Sequence, residues 1–345
     1  MRAKHPTGRP TEIPDGEILA PPIRISPSQV KKAIKSFKKG TAPGPDGMRP
    51  EHLKEALAAV AQNRSSRFLS VLAALVNLLA SGGVPEEVAP YLGGANMFAA
   101  KKKEGGYRPI AVGNTIRRLV SKCIAYAVSG RAAAILRPHQ FGVGVRGGCE
   151  GIIHSTRVLL GDKDVPDGSK WLLQVDLQNA FNMVDRSKMM VEVRKHLPDI
   201  SYWVESIYGV EAVLNLGDST ISSSAGVHQG DPLASLLFAL ALLPVVENIV
   251  RAVPSLKQNS WFLDDGALGG KKTDLQQAID ILTQQGPEKG CTSMLTSPWC
   301  GALATTGKMM TRWRGESHAS ERRESSCWEH LWAAEFSRRR SCWPG

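Results

Sequence analysis

Apolar residues along this chain recur at spacings that predict short helices and strands in mixed order. In SPSQVKKAIKSFKKG, residues 26–40, Val30, Ile34 and Phe37 lie three to four positions apart among lysines. That spacing predicts a short amphipathic basic helix, capped by Ser26 or Ser28 and ended by Gly40. Pro43, Gly44, Pro45 and Gly47 force turns before a second helix opens near Pro50, and an apolar helix is expected over 66–80. MFAAKKKEGGYRPIAV, residues 97–112, reads as strand, basic turn and strand. IRRLVSKCIAYAVSGRAAAIL follows as a helix with an apolar stripe. WLLQVDLQNAF is a buried strand running into a helix, and SSSAGVHQGDPLASLLFALALLPVVENIV is a turn followed by a long, nearly all-apolar helix. NSWFLDDGALGG, residues 259–270, closes the series as two short strands around an Asp-Asp turn, before the amphipathic helix DLQQAIDILTQQ. Helices and hairpins without regular alternation predict an α+β fold rather than a doubly wound sheet.

Composition narrows the function. The 345 residues suffice for two domains or one large one, and 43 Lys plus Arg against 32 Asp plus Glu give a net charge of +11. Such an excess points to a polyanionic partner such as nucleic acid. Residues 1–25 form a polar, proline-rich leader with no apolar signal core. Apolar stretches such as 68–80 are too short to span a bilayer comfortably, so the chain reads as soluble and intracellular, with no membrane partner. Six cysteines without a Cys-x-x-Cys pair argue against a zinc site or a disulfide framework.

Three carboxylates raise the question of chemistry. Asp176 ends the apolar strand LLQVD, and Asp264 and Asp265 follow Trp261, Phe262 and Leu263. An ionised carboxylate taken out of water without a partner is costly. Taken singly, each aspartate reads as the cap of a turn or helix. Taken together at the ends of two apolar strands, they would suit a pair of Mg²⁺ ions, hard cations that take oxygen ligands and serve phosphoryl or nucleotidyl transfer. Gly142, Gly144 and Gly147 carry the G-x-G-x-x-G spacing of dinucleotide sites, but RPHQ precedes them where that motif needs an apolar strand. His139, His154 and His228 stand singly and read as core or surface residues.

Five motifs in order, APGPDGMRPEHLK, KKKEGGYRPIAVGNTIRRLVSK, QVDLQNAFN, GVHQGDPLASLLFALAL and FLDDG, resemble the reverse transcriptase domain of non-LTR retrotransposons over roughly residues 26–289. The resemblance implies a right-hand polymerase fold, with fingers over 26–150 and a palm over 151–289. It also implies an RNA-directed DNA polymerase with an RNA template, a DNA primer, dNTP substrates and two Mg²⁺ ions, Mn²⁺ being a substitute. Asp176 and Asp264 match the metal ligands, Asp265 their supporting neighbour, and the Leu177 carbonyl completes a metal shell. Phe181 matches the aromatic that excludes a 2′-hydroxyl. Gln229 and Gly230 match the loop along the incoming nucleotide, and Gly230 permits close approach. Lys103 and Arg108, with less weight on Lys101 and Lys102, resemble the fingertip that closes on the triphosphate. Arg117, Arg118 and Lys122 would hold template or primer backbone. The segment HQFGVGVRGG belongs, by the same resemblance, to template-binding fingers.

Beyond Gly290 the resemblance stops. Residues 290–345 hold five of the eight tryptophans without apolar periodicity and read as a disordered tail. The codons for CTSMLTSPWCGALATTGKMM, read one base earlier, permit LHLNVDKSVVWCPGHDWENDD, which contains the pattern the family has there. The tail therefore reads as a frameshift product in a truncated copy, with the thumb missing or replaced and any target-cleaving endonuclease supplied elsewhere. Two other readings stay open, an inactive nucleic-acid-binding relic and a group II intron maturase-like protein.

Overall fold

A computed structural model of the chain describes residues 5, 8, 10–61, 67–101, 106–177, 179–288, 300–303 and 310–313. In chain order the elements are α1 (Pro27–Lys35), α2 (Pro50–Ala61), α3 (Phe68–Ala80), α4 (Ala89–Leu92), β1 (Ala95–Lys101), β2 (Tyr107–Gly113), α5 (Thr115–Leu136) and α6 (Gly148–Gly161). Then come β3 (Trp171–Asp176), α7 (Ala180–Met183), α8 (Arg186–His196), α9 (Ser201–Tyr208), β4 (Ala212–Leu216), β5 (Ser219–Ser223), α10 (Ala234–Ala252), β6 (Gln258–Phe262), β7 (Asp265–Gly270), α11 (Lys272–Glu288), β8 (Cys300–Leu303) and β9 (Met310–Trp313). The mixture is α+β.

Two compact units interleave along the chain, one formed by Met1–Arg131 with Phe181–Ala241, the other by Ala132–Ala180 with Leu242–Gly345. Helices α5 and α10 each begin in the first unit and end in the second.

In the first unit β2, β1, β4 and β5 form a sheet in that order, with β1 antiparallel to β2 and parallel to β4. One face buries Ala95, Met97, Ala111, Leu214 and Ile221. Helix α1 starts in a capping box, in which Ser26 Oγ accepts from Gln29 N and Gln29 Oε1 accepts from Ser26 N. The last two isoleucines of the polar leader tie it down. Ile25 is buried, and its N–H and C=O are both taken by the Asn77 carboxamide of α3 at 2.8 Å, while Ile23 N donates to Asp199 O.

In the second unit β6, β7, β3, β8 and β9 form an antiparallel sheet in that order, with β3 central. Helix α6 packs on β6 and β7, and α11 on β3 and β7. Cys149, Ile152 and Ala267 make a buried cluster with Phe141 and Phe262 against it. The β8–β9 hairpin falls in the segment expected to lack structure. It joins the sheet through the backbone ladder, which demands no apolar periodicity of its side chains. The rest of the tail, with the expected frameshift and missing thumb, lies outside the described residues. By length and composition, α5 and α10 could cross a bilayer, which the shorter stretch at 68–80 could not; both are mostly buried within the protein, as core helices are.

Candidate active site

The second unit brings the three aspartates to one end of its central strands. Asp176, the last residue of β3, is the cross-strand partner of Asp265, the first residue of β7. Phe262 pairs with Asp265 across β6 and β7, so Leu263 and Asp264 form the two-residue turn between them. The main chain of Leu177, just past β3, donates its N–H to Asp264 O at 3.2 Å. Asp176 and Asp264 are half-buried, whereas Asp265 is 8% exposed. The turn therefore consists of Leu263 and Asp264, one residue earlier than the Asp-Asp turn read from the sequence.

Leu263 adopts φ +56°, in the left-handed region that costs a non-glycine residue roughly 1–2 kcal/mol. Its neighbours hold it there. The Leu263 N–H donates to Gln140 Oε1 at 2.8 Å, and the Gln140 amide lies 3.4 Å from the Leu263 carbonyl that accepts from it. The same Gln140 oxygen accepts from Gly142 N at 2.9 Å. A Cβ on Gly142 would stand 2.8–2.9 Å from Leu263 atoms, so only glycine allows this approach. The stretch from His139 to Phe141 runs beside β6, with Trp261 N donating to His139 O and Phe141 N donating to Trp261 O. Gln140 was not singled out by sequence reasoning. Only its place before the glycine-rich stretch marked it.

In the first unit the Gln229–Gly230 loop is fixed to β2. Ala111 N donates to Gln229 O at 2.9 Å, and a side chain at Gly230, whose φ is +138°, would collide with Ala111 O at 2.3 Å. Below the loop lies a buried ionic network. Arg117, 1% exposed, donates to Asp231 Oδ2 at 3.0 Å, to Gly93 O at 2.6 Å and to His228 Nδ1 at 3.1 Å. Tyr208 Oη donates to the same Asp231 oxygen at 2.9 Å, and burial together with that carboxylate raises its pKa. His228 is held neutral well below the usual imidazole range by burial, by Arg117, by Arg186 and by His5. Because Nδ1 accepts from Arg117, the ring proton resides on Nε2 and is donated to Ser223 Oγ at 2.9 Å. Arg186, whose pKa burial pushes down to about 10, donates to the carbonyls of Ser223, Gly226 and Val210.

Arg117 therefore faces inward, where its charge is spent on Asp231, and it is not a surface contact for template or primer. Arg118 and Lys122 are also largely buried. The Arg118 guanidinium donates to Ala42 O, and the Lys122 ammonium lies 5.1 Å from the Phe37 ring centre and 5.7 Å from that of Tyr126. Burial lowers both pKa values. Phe181 is half-buried and stacks on Phe238 at 4.8 Å. Arg108 is exposed on β2 opposite Ala100, and Lys101 is exposed at the end of β1. Lys102 and Lys103 lie outside the described residues. His228 is a buried core residue, and the G-x-G-x-x-G stretch follows α5 rather than a strand.

The donor set at the aspartate turn is all oxygen, which matches a hard divalent cation. Among the described residues no group of three or more His, Cys, Asp or Glu side chains forms a cage by itself. Mg²⁺ is commonly bound through one or two carboxylates, with substrate phosphates and water filling its octahedron, so a two-aspartate site fits it.

The family described as reverse transcriptase (RNA-dependent DNA polymerase) matches residues 100–293, which include all three aspartates. The Retrotransposable element SLACS 132 kDa protein of Trypanosoma brucei gambiense is 26% identical over 262 residues, covering 74% of this chain and 21% of that protein. The Putative COX1/OXI3 intron 1 protein of Saccharomyces cerevisiae is 23% identical over 157 residues, covering 46% of this chain and 17% of that protein. The chain thus spans about a fifth of the length of these relatives. A telomerase structure from Candida albicans, in complex with a telomeric RNA fragment, aligns with a TM-score of 0.48 at 12% identity, over 70% of this chain and 47% of that one. With more than half of its residues matched and the aspartates within the match, the chain belongs to the reverse transcriptase family.

Proposed function

We propose that this chain carries out RNA-directed DNA synthesis as the polymerase domain of a non-LTR-type retroelement protein. In the reaction the primer 3′-hydroxyl attacks the α-phosphate of a dNTP, and pyrophosphate leaves. The observation that carries the reading is the pairing of Asp176 with Asp265 at the ends of β3 and β7, with Asp264 in the adjoining turn. Asp176, Asp264 and the Leu177 carbonyl would hold Mg²⁺, and Asp265 supports them from its buried position. Divalent metal bound there supplies charge stabilisation for the attacking and leaving oxygens.

The other roles fall to residues of the first unit. Phe181, braced by Phe238, excludes a 2′-hydroxyl by bulk. The Gln229–Gly230 loop, fixed to β2, presents backbone to the incoming nucleotide. Arg108 and Lys103 take the triphosphate as charge-assisted donors. Arg118 and Lys122 supply positive field for the nucleic-acid backbone.

The test is primer extension on an RNA template with dNTPs and Mg²⁺. Extension by the native chain that disappears in Asp264→Ala is the expected result. Extension that survives the substitution overturns the carboxylate assignment. No extension by the native chain, with RNA binding that weakens steeply with salt, would make the protein a non-catalytic nucleic-acid binder instead.

A further inference from the structure

Gln140 is 6% exposed, and its side-chain polar atoms bond to the backbone of the Leu263 turn and of Gly142. Its oxygen accepts from both Leu263 N and Gly142 N, and its amide reaches the Leu263 carbonyl. Leu263 is the residue in the left-handed conformation, and Asp264 is its immediate neighbour. A leucine left to itself would relax toward the right-handed or extended regions, and the Asp264 carboxylate would swing with the peptide plane. Gly142 closes the arrangement from the other side, since its missing side chain lets the segment sit directly on Leu263.

We propose that Gln140 is a positioning residue for the metal-binding turn, clamping Leu263 in its left-handed conformation so that Asp264 is held beside Asp176 before any cation arrives. This inference rests on the two-aspartate metal site proposed above. It also gives HQFGVGVRGG a task in the same unit as the aspartates, where the family resemblance pointed to template binding. The physical logic is that of hydrogen bonds behind a metal ligand, where loss of the supporting contact weakens the metal although every ligand remains.

The clamp predicts a specific rescue. If Gln140 serves only to hold Leu263 where leucine is strained, then glycine at 263, which adopts that conformation freely, removes the need for it. The experiment measures Mn²⁺ binding to the full chain by electron paramagnetic resonance, for the native protein, Gln140→Ala and the double variant Gln140→Ala with Leu263→Gly. Asp264→Ala serves as the site control, and melting temperature is followed in parallel. Gln140→Ala is expected to raise the Mn²⁺ concentration at half-saturation about tenfold. The double variant is expected to recover most of that loss while its melting temperature stays as low as that of the single variant. A Gln140→Ala protein that melts earlier but binds Mn²⁺ like the native chain overturns the proposal, as does a double variant no better than the single.

Should the native chain bind no Mn²⁺ in an Asp264-dependent way, the metal-site reading fails, and the clamp is judged by amide hydrogen exchange. Faster exchange confined to Leu263 and Gly142 in Gln140→Ala sustains the clamp. Unchanged protection there overturns it.

Discussion

At the scale of single residues, the chain separates groups that meet substrate from groups that hold them. Arg117 illustrates the second kind. As a cation in a basic helix it reads as a phosphate contact, but the chain gives it a buried carboxylate partner in Asp231, 114 positions away, and Asp231 also accepts from Leu233 N at the entry to α10. Replacing Arg117 with Met leaves Asp231 buried with only the Tyr208 hydroxyl and a main-chain N–H, so a loss of about 3–5 kcal/mol in unfolding free energy is expected. Denaturant melts would read it directly. Phe181 is proposed above to be of the first kind. Phe181→Val opens space at the sugar and removes a stacked ring, and the ratio of rNTP to dNTP use is expected to rise about tenfold or more in single-nucleotide extension. A variant that lost stability without changing that ratio would make Phe181 a packing residue alone.

At the scale of elements, what was legible in the sequence depended on how local the signal was. Local apolar patterns placed α1, α2, α3, α5, α10 and α11 and the strands β1, β2, β3, β6 and β7 close to where they stand, whereas α4, α6, α8, α9, β4 and β5 were not read. The aspartates were legible because a carboxylate at the end of an apolar strand is itself an anomaly. The Gln140 clamp and the Arg117–Asp231 pair were not, since both join residues more than a hundred positions apart through contacts that no local pattern encodes. The leader belongs to the same class. Its composition is that of a loose segment, yet Asn77 satisfies both backbone groups of Ile25 and also donates to Ala73 O. Asn77→Leu keeps the volume and orphans those groups, which should cost about 1–3 kcal/mol. It should also make residues near Ile25 the first site of limited proteolysis. Cleavage elsewhere first would mean that the leader is held by other contacts.

At the scale of the whole molecule, the +11 charge and the buried histidines set the response to pH. His228 is kept neutral by burial between Arg117 and Arg186, and His5, nearby in charge terms, has its pKa pushed down to about 4 by burial first and by neighbouring positive charge second. In the unfolded chain both titrate near 6.5. Below that value the unfolded state takes up protons that the folded state refuses, so stability is fully present above about pH 6.5 and falls as the pH drops toward 4. Each histidine adds a slope of up to about 1.4 kcal/mol per pH unit across that window. The measurement is unfolding free energy by denaturant at a series of pH values between 4 and 8, for the native chain and for His228→Gln. The variant gives up the hydrogen bonds to Arg117 and Ser223 and starts from a lower plateau, but its curve should fall less steeply below pH 6.5. Equal slopes would mean that His228 is protonated in the fold. That would require the Arg117 guanidinium to turn away from Nδ1, and with it the contact that ties α5 to the residue preceding the Gln229–Gly230 loop.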